Sequence, residues 1–146
     1  LTNVRGQRSF QTLAPVQTDK TKESMIEVDK EIRAIAGARP ITGQEYSNIM
    51  RHMTSRLAGR FETLGALESA AVTSVNLGLP DDYWSNYAAN MRALREPQLA
   101  AAAARFVHPD EVVWIVIGDL RRIEKGVRDL NWGEVTVITP DGTPVR

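Results

Sequence analysis

Apolar residues recur at helical spacing along most of the chain and at strand spacing in three places. The first is residues 9–17 (SFQTLAPVQ), where Phe10, Thr12, Ala14 and Val16 alternate with Ser9, Gln11, Leu13 and Pro15. This pattern predicts a strand, with Pro15 at an edge or near the strand end because it has no N–H for a ladder. A helix follows on Met25, Val28, Ile32 and Ile35, with an N-cap oxygen from Thr18 or Asp19 and a stop at Gly37. Thr42 and Glu45 form the spacing of a capping box, and Ile41 and Tyr46 that of a hydrophobic staple. Tyr46, Ile49, Met50, Met53 and Leu57 then make one stripe, ended by Gly59.

A third helix, about residues 62–76, is rich in Ala, Ser and Thr. Leu64, Leu67, Ala71 and Val75 are its expected core face, and Gly78 its C-terminal cap. Residues 81–94 and 96–107 predict two more helices, the second with Pro97 in its first turn. Residues 112–118 (VVWIVIG) are apolar and mostly β-branched, which predicts a strand buried on both faces. A short helix near residues 123–130, a strand at 134–138 and a Pro-Asp-Gly turn at 140–142 complete the pattern.

Strands and helices in this order imply an α/β (α+β) fold, a layered mixed sheet packed against several helices. Three strands are too few to cover the helices, so part of the sheet is expected to lie outside this chain, leaving an edge open to self-association. The chain opens at Leu1 without the charged and apolar regions of a signal peptide, and residues 1–146 are expected to be a single-domain fragment of a longer protein.

Composition narrows the function classes. Lys plus Arg and Asp plus Glu both number 18, a balance that argues against nucleic acid or an anionic membrane as partner. No apolar run is long enough for a membrane helix. The absence of cysteine excludes disulfides, thiolate metal sites and a cysteine nucleophile.

His108-Pro-Asp-Glu111-Val112 has most of the His-x-x-Glu-His zinc motif, but Val112 stands where the second histidine belongs. Pro109 also suits a turn better than the interior of a ligand-bearing helix. His52 has no second histidine within helical reach. Neither a nucleophile elbow nor a phosphate-binding Gly-rich loop is present, and Gly118-Asp119 reads as a turn before a helix cap. Trp84, Trp114 and Trp132 read as core or domain-contact residues, and Asp81 and Asp82 as helix-start charges. Residues 59–63 (GRFET) combine a glycine, a cation, an aromatic ring and a carboxylate between two helices. Arg60, Phe61 and Glu62 are therefore the candidate substrate-binding residues. The plainer reading of the same link has Arg60 capping carbonyls and Phe61 filling the core.

Several segments, in order, resemble the pitrilysin-type zinc metallopeptidases, the inverzincin family of insulin-degrading enzyme and the mitochondrial processing peptidase. They are APVQTDKTKESM, RPITGQE, LAGRFETLGAL, LGLPDDYW, VVWIVIGD and IEKGVRDLNWGEVTVI, and the likeness runs from about Arg5 to Val145. The family pairs two α/β domains around a peptide chamber; this chain is similar to the latter part of the second, non-metal-binding one. The resemblance implies a segment of the chamber wall in a zinc metalloendopeptidase, with no catalytic residue, metal ligand or cofactor of its own. Zinc would sit in a metal-binding peptidase domain or partner subunit, and the arginine and tyrosine that help bind substrate would lie upstream of Leu1. GRFET is similar to a recurring family segment, whereas Arg95 departs from the Thr or Ser that usually caps its helix. Peptide substrate and a metal-binding partner are the implied partners, homo-oligomers are possible, and exported bacterial relatives imply a cell-envelope location. The rival readings are a non-catalytic assembly subunit of the same family and an independent peptide-binding module.

Overall fold

A computed structural model describes Gly6 and residues 9–145. Among these residues are six α-helices: α1 (Thr21–Ala36), α2 (Gly43–Gly59), α3 (Leu64–Leu77), α4 (Tyr83–Ala93), α5 (Glu96–Phe106) and α6 (Leu120–Arg128). Short 3₁₀ turns occupy Thr18–Lys20 and Pro109–Glu111. The described residues contain no sheet, only an isolated antiparallel bridge between Ile138 and Pro144. The layered α/β fold expected from the sequence is thereby overturned: the protein is helical.

All three expected strands lack a ladder, and the reason is common to them. A helix satisfies its hydrogen bonds within its own segment, whereas a strand needs a neighbour at about 4.8 Å. Residues 9–16 are exposed throughout. In the segment expected to be buried on both faces, Val113 is 83%, Ile115 79% and Ile117 94% exposed. At the third, Val145 N–H donates to Val137 O at 2.7 Å and Thr139 N–H to Thr143 O at 2.9 Å, a tight turn rather than a ladder.

The chain divides into two compact units, Leu1–Thr12 with Ile32–Pro109, and Leu13–Glu31 with Asp110–Arg146. The first holds α2 to α5, and its helix ends follow the sequence closely. Glu45 Oε2 accepts both the Thr42 N–H (2.9 Å) and the Thr42 hydroxyl (2.8 Å) at the start of α2. Tyr46 carries its hydroxyl to Leu94 O at 2.5 Å, which ties α2 to the end of α4. Thr63 Oγ1 accepts from Ala66 N–H to open α3, and Gly78 closes it in the left-handed region at φ 63°. The buried side of α3 is not the expected Leu64–Leu67–Ala71–Val75 face. Ala70 is buried at 4% exposure, flanked by half-buried Ala66, Thr73, Ser74 and Leu77, while Leu64 is 85% exposed.

Arg95 explains its own departure from a Ser or Thr cap. Its guanidinium donates to the carbonyls of Arg92, Ala93 and Leu94, closing the end of α4. Gln98 meanwhile accepts the Arg95 N–H at 2.8 Å to open α5. One residue thus serves two helix ends.

In the second unit, Met25 of α1 and Ile123 of α6 are buried, and Gly126 lets α6 approach Lys22. Asp129 bonds Lys125 at 2.8 Å and lies 3.9 Å from Lys22. The Lys125 bond holds the Asp129 carboxyl below its ordinary value and raises the Lys125 ammonium. These groups are solvated, so the contacts contribute little to stability.

The α2 cap yields a pH prediction. The Thr42 backbone and hydroxyl bonds hold the Glu45 carboxyl below its ordinary value. Because the folded value is the lower one, the cap's contribution is full above the ordinary glutamate range. It is lost as pH falls through the lowered value. Helix content measured by circular dichroism should drop there more in the native chain than in Glu45→Gln, which keeps only the Asp129 contribution. Thr42→Ala should destabilise α2 by about 1 kcal/mol at neutral pH.

Candidate functional site

The 59–63 link is built by two helix ends. Gly59 ends α2, the Arg60 N–H donates to Leu57 O at 3.2 Å, and the chain turns before Thr63 caps α3. This turn presents Arg60 and Phe61 to α4, a neighbour the sequence reading did not foresee. The Arg60 guanidinium carbon stands 4.1 Å from the centroid of the Trp84 ring. Phe61 meets Trp84 nearly edge-on at 6.0 Å and 74°. From α4 itself Tyr83 packs on Trp84 at 4.9 Å and 85°, and Tyr87 at 5.8 Å with a 36° tilt. Trp84 Nε1–H donates to Ser74 Oγ at 2.8 Å, and the Ser74 hydroxyl donates to Ala70 O at 3.0 Å. Two helices and a turn thus converge on one indole.

Of the three candidates, Arg60 and Phe61 are brought together and Glu62 is not. Glu62 is exposed, and its carboxylate turns back to within 3.9 Å of where a methyl group on Gly59 would stand. The cluster offers aromatic faces and a cation engaged with one of them. Its contacts are those of a packing knot, with Arg60 held on Trp84 by cation–π attraction. The plainer sequence reading had this link filling the core; Phe61 is half-buried, and the Arg60 side chain stacks on a ring rather than capping carbonyls.

The histidines stay apart from any such grouping. His52 is exposed, with Nε2 3.3 Å from Arg56 Nη1, and His108 is exposed beside the Pro109–Glu111 turn. Among the described residues no three His, Cys, Asp or Glu side chains gather where they could hold a metal ion. Carboxyls held below their ordinary range are those of Glu45 in a helix cap, Asp129 in a surface ion pair and Asp141, whose turn brings the Thr139 and Thr143 hydroxyls to it.

An apolar cleft of about 290 Å³ lies in the first unit and was not singled out in the sequence. Ile41, Ile49, Met50, Met53, Met91 and Leu99 are among its walls. The α2 stripe was the signal for it, but a stripe alone does not distinguish a covered face from an open one. No helix among the described residues is long and apolar enough to cross a membrane.

Comparison with known protein families, curated proteins and solved structures finds no match.

Dialysis of the purified chain against a chelator-free buffer is expected to leave no stoichiometric zinc. Retention of one zinc per chain, lost in His108→Ala, would make the His108 segment a metal ligand after all.

Proposed function

We propose that this chain is a non-catalytic, partner-dependent segment of a zinc metalloendopeptidase, forming part of the wall that holds extended peptide. In this reading zinc and its general base belong to a metal-binding peptidase domain or subunit, and peptide bonds are hydrolysed there. The ordered family-like segments support the peptidase part of the reading. The partner-dependent part rests on exposed surface. Leu13, Leu64, Val75 and Ile117 are 92%, 85%, 72% and 94% exposed, large apolar side chains that a partner surface would cover.

A second reading, a structural subunit without any hold on peptide, is favoured by one observation. Arg60, the cation best suited to a substrate carbonyl or carboxylate, is already stacked on Trp84.

Both readings are tested by titrating the chain into a zinc-loaded subunit that carries His-x-x-Glu-His and cleaves a fluorogenic peptide. The wall reading expects a stoichiometric complex, a rise in kcat/KM, and a KM that increases in Glu62→Ala. The structural reading expects the complex with KM unmoved by Glu62→Ala. No complex at any ratio ends both.

A further inference from the structure

We propose that residues 112–117 are a self-complementary edge through which two copies of this chain pair antiparallel. The proposal stands independently of the peptidase reading, and asks for one added strand rather than a sheet layered on helices.

Neither helix, turn nor bend interrupts residues 112–117. Exposure alternates along them: Val113, Ile115 and Ile117 are bare, whereas Trp114 and Val116 are half-buried, Trp114 lying 5.2 Å from Trp132. A two-residue period is that of extended chain. Among the described residues the backbone of 113–117 has no hydrogen-bond partner. Such a row of open N–H and C=O groups is a template for another strand. The run is apolar and largely β-branched, without charge, proline or glycine, which is the composition of segments that pair with their own kind.

Charge selects the occupant and its direction. The segment is preceded by Asp110 and Glu111 and followed by Asp119, whose carboxylate caps α6, and by Arg121 and Arg122 in its first turn, so its two ends carry opposite net charge. Parallel pairing of two copies would set like charges side by side. Antiparallel pairing centred on Val116 sets Ile115 of each copy opposite Ile117 of the other. It also brings Glu111 of each copy to the Arg121 end of the other, twice over by the two-fold axis. The zero net charge of the chain leaves no long-range repulsion between copies. A strand pair of this length buries less than the roughly 800 Å² per partner of a standard interface, so the dimer is expected to be weak.

Sedimentation equilibrium of the whole chain decides it. At about 100 μM and low salt a monomer–dimer equilibrium is expected, weakened about tenfold by Ile115→Lys. Glu111→Lys and Arg121→Glu should each weaken self-association by about tenfold or more. Mixed one to one, the two variants should recover native-like dimerisation, because opposite charges meet again at both ends. All three positions are exposed, and circular dichroism verifies folding. A chain that stays monomeric to about 1 mM overturns the proposal, since the expected equilibrium lies about tenfold below that concentration. So does a dimer indifferent to Ile115→Lys, which would place the contact elsewhere, or a mixture that shows no recovery.

Discussion

Trp84→Ala is expected to destabilise the first unit by about 3 kcal/mol, the low end of the range for tryptophan truncation because the ring is only half-buried. The indole is where α3, α4 and the 59–63 turn meet, so its removal loosens three elements at once. The α3 contact loses the Nε1–H bond to Ser74. The turn loses the ring under Arg60 and the edge contact of Phe61. Smaller substitutions apportion the effect. Trp84→Phe keeps an aromatic face and loses the hydrogen bond, for about 1 kcal/mol. Arg60→Ala removes the exposed cation–π contact, for about 0.5–1 kcal/mol. Arg60→Ala in the Trp84→Ala background should then cost almost nothing further, since the partner is gone. Amide hydrogen exchange of α3 and α4 measures all of these without assuming that both units unfold together. Protection in Trp84→Ala falling by less than about 1 kcal/mol would make the cluster incidental to the fold.

Helices were legible in the sequence because their signals are local. The Thr42–Glu45 box, Gly78 after α3 and Pro97 in α5 each mark an end whose hydrogen bonds close within a few residues. The strands were misread for the converse reason. Residues 112–117 have every local mark of a strand, but a ladder depends on a second segment, and the pattern says nothing of where that segment is. The face of α3 was misassigned because leucine and valine outweigh alanine on any hydrophobicity scale, whereas the buried side is the one with Ala70 and with Ser74, whose hydroxyl oxygen receives the Trp84 N–H. At the candidate site, Arg60 and Phe61 were legible as a pair; their shared partner Trp84 was not. Nothing in GRFET points to α4, and Trp84 looked like one more core aromatic beside Asp81 and Asp82.

Ile123→Ala is the prediction of similar size in the second unit, at about 2–3 kcal/mol. Ile123 is the buried residue of α6, and it packs against the bend at Gly118 just before the Asp119 cap. A methyl group added at Gly118 would stand 3.1 Å from Ile123 Cδ1 and 3.9 Å from its Cγ2. Gly118→Ala alone should therefore destabilise, because a buried side chain has little room to swing its δ-methyl away. Ile123→Val alone deletes that same methyl, for about 1 kcal/mol. Together the two changes exchange one carbon for another across the same gap, so the double variant should be more stable than the sum of the singles predicts. A coupling of about 0.5–1 kcal/mol in that direction, from urea unfolding of the four proteins, is expected for residues in contact. Strict additivity would mean that Gly118 and Ile123 do not touch in solution, and that α6 is held by its ion pairs with Asp129 instead. Those solvated pairs are too weak to replace the burial of an isoleucine, so Ile123 is the residue that fixes α6.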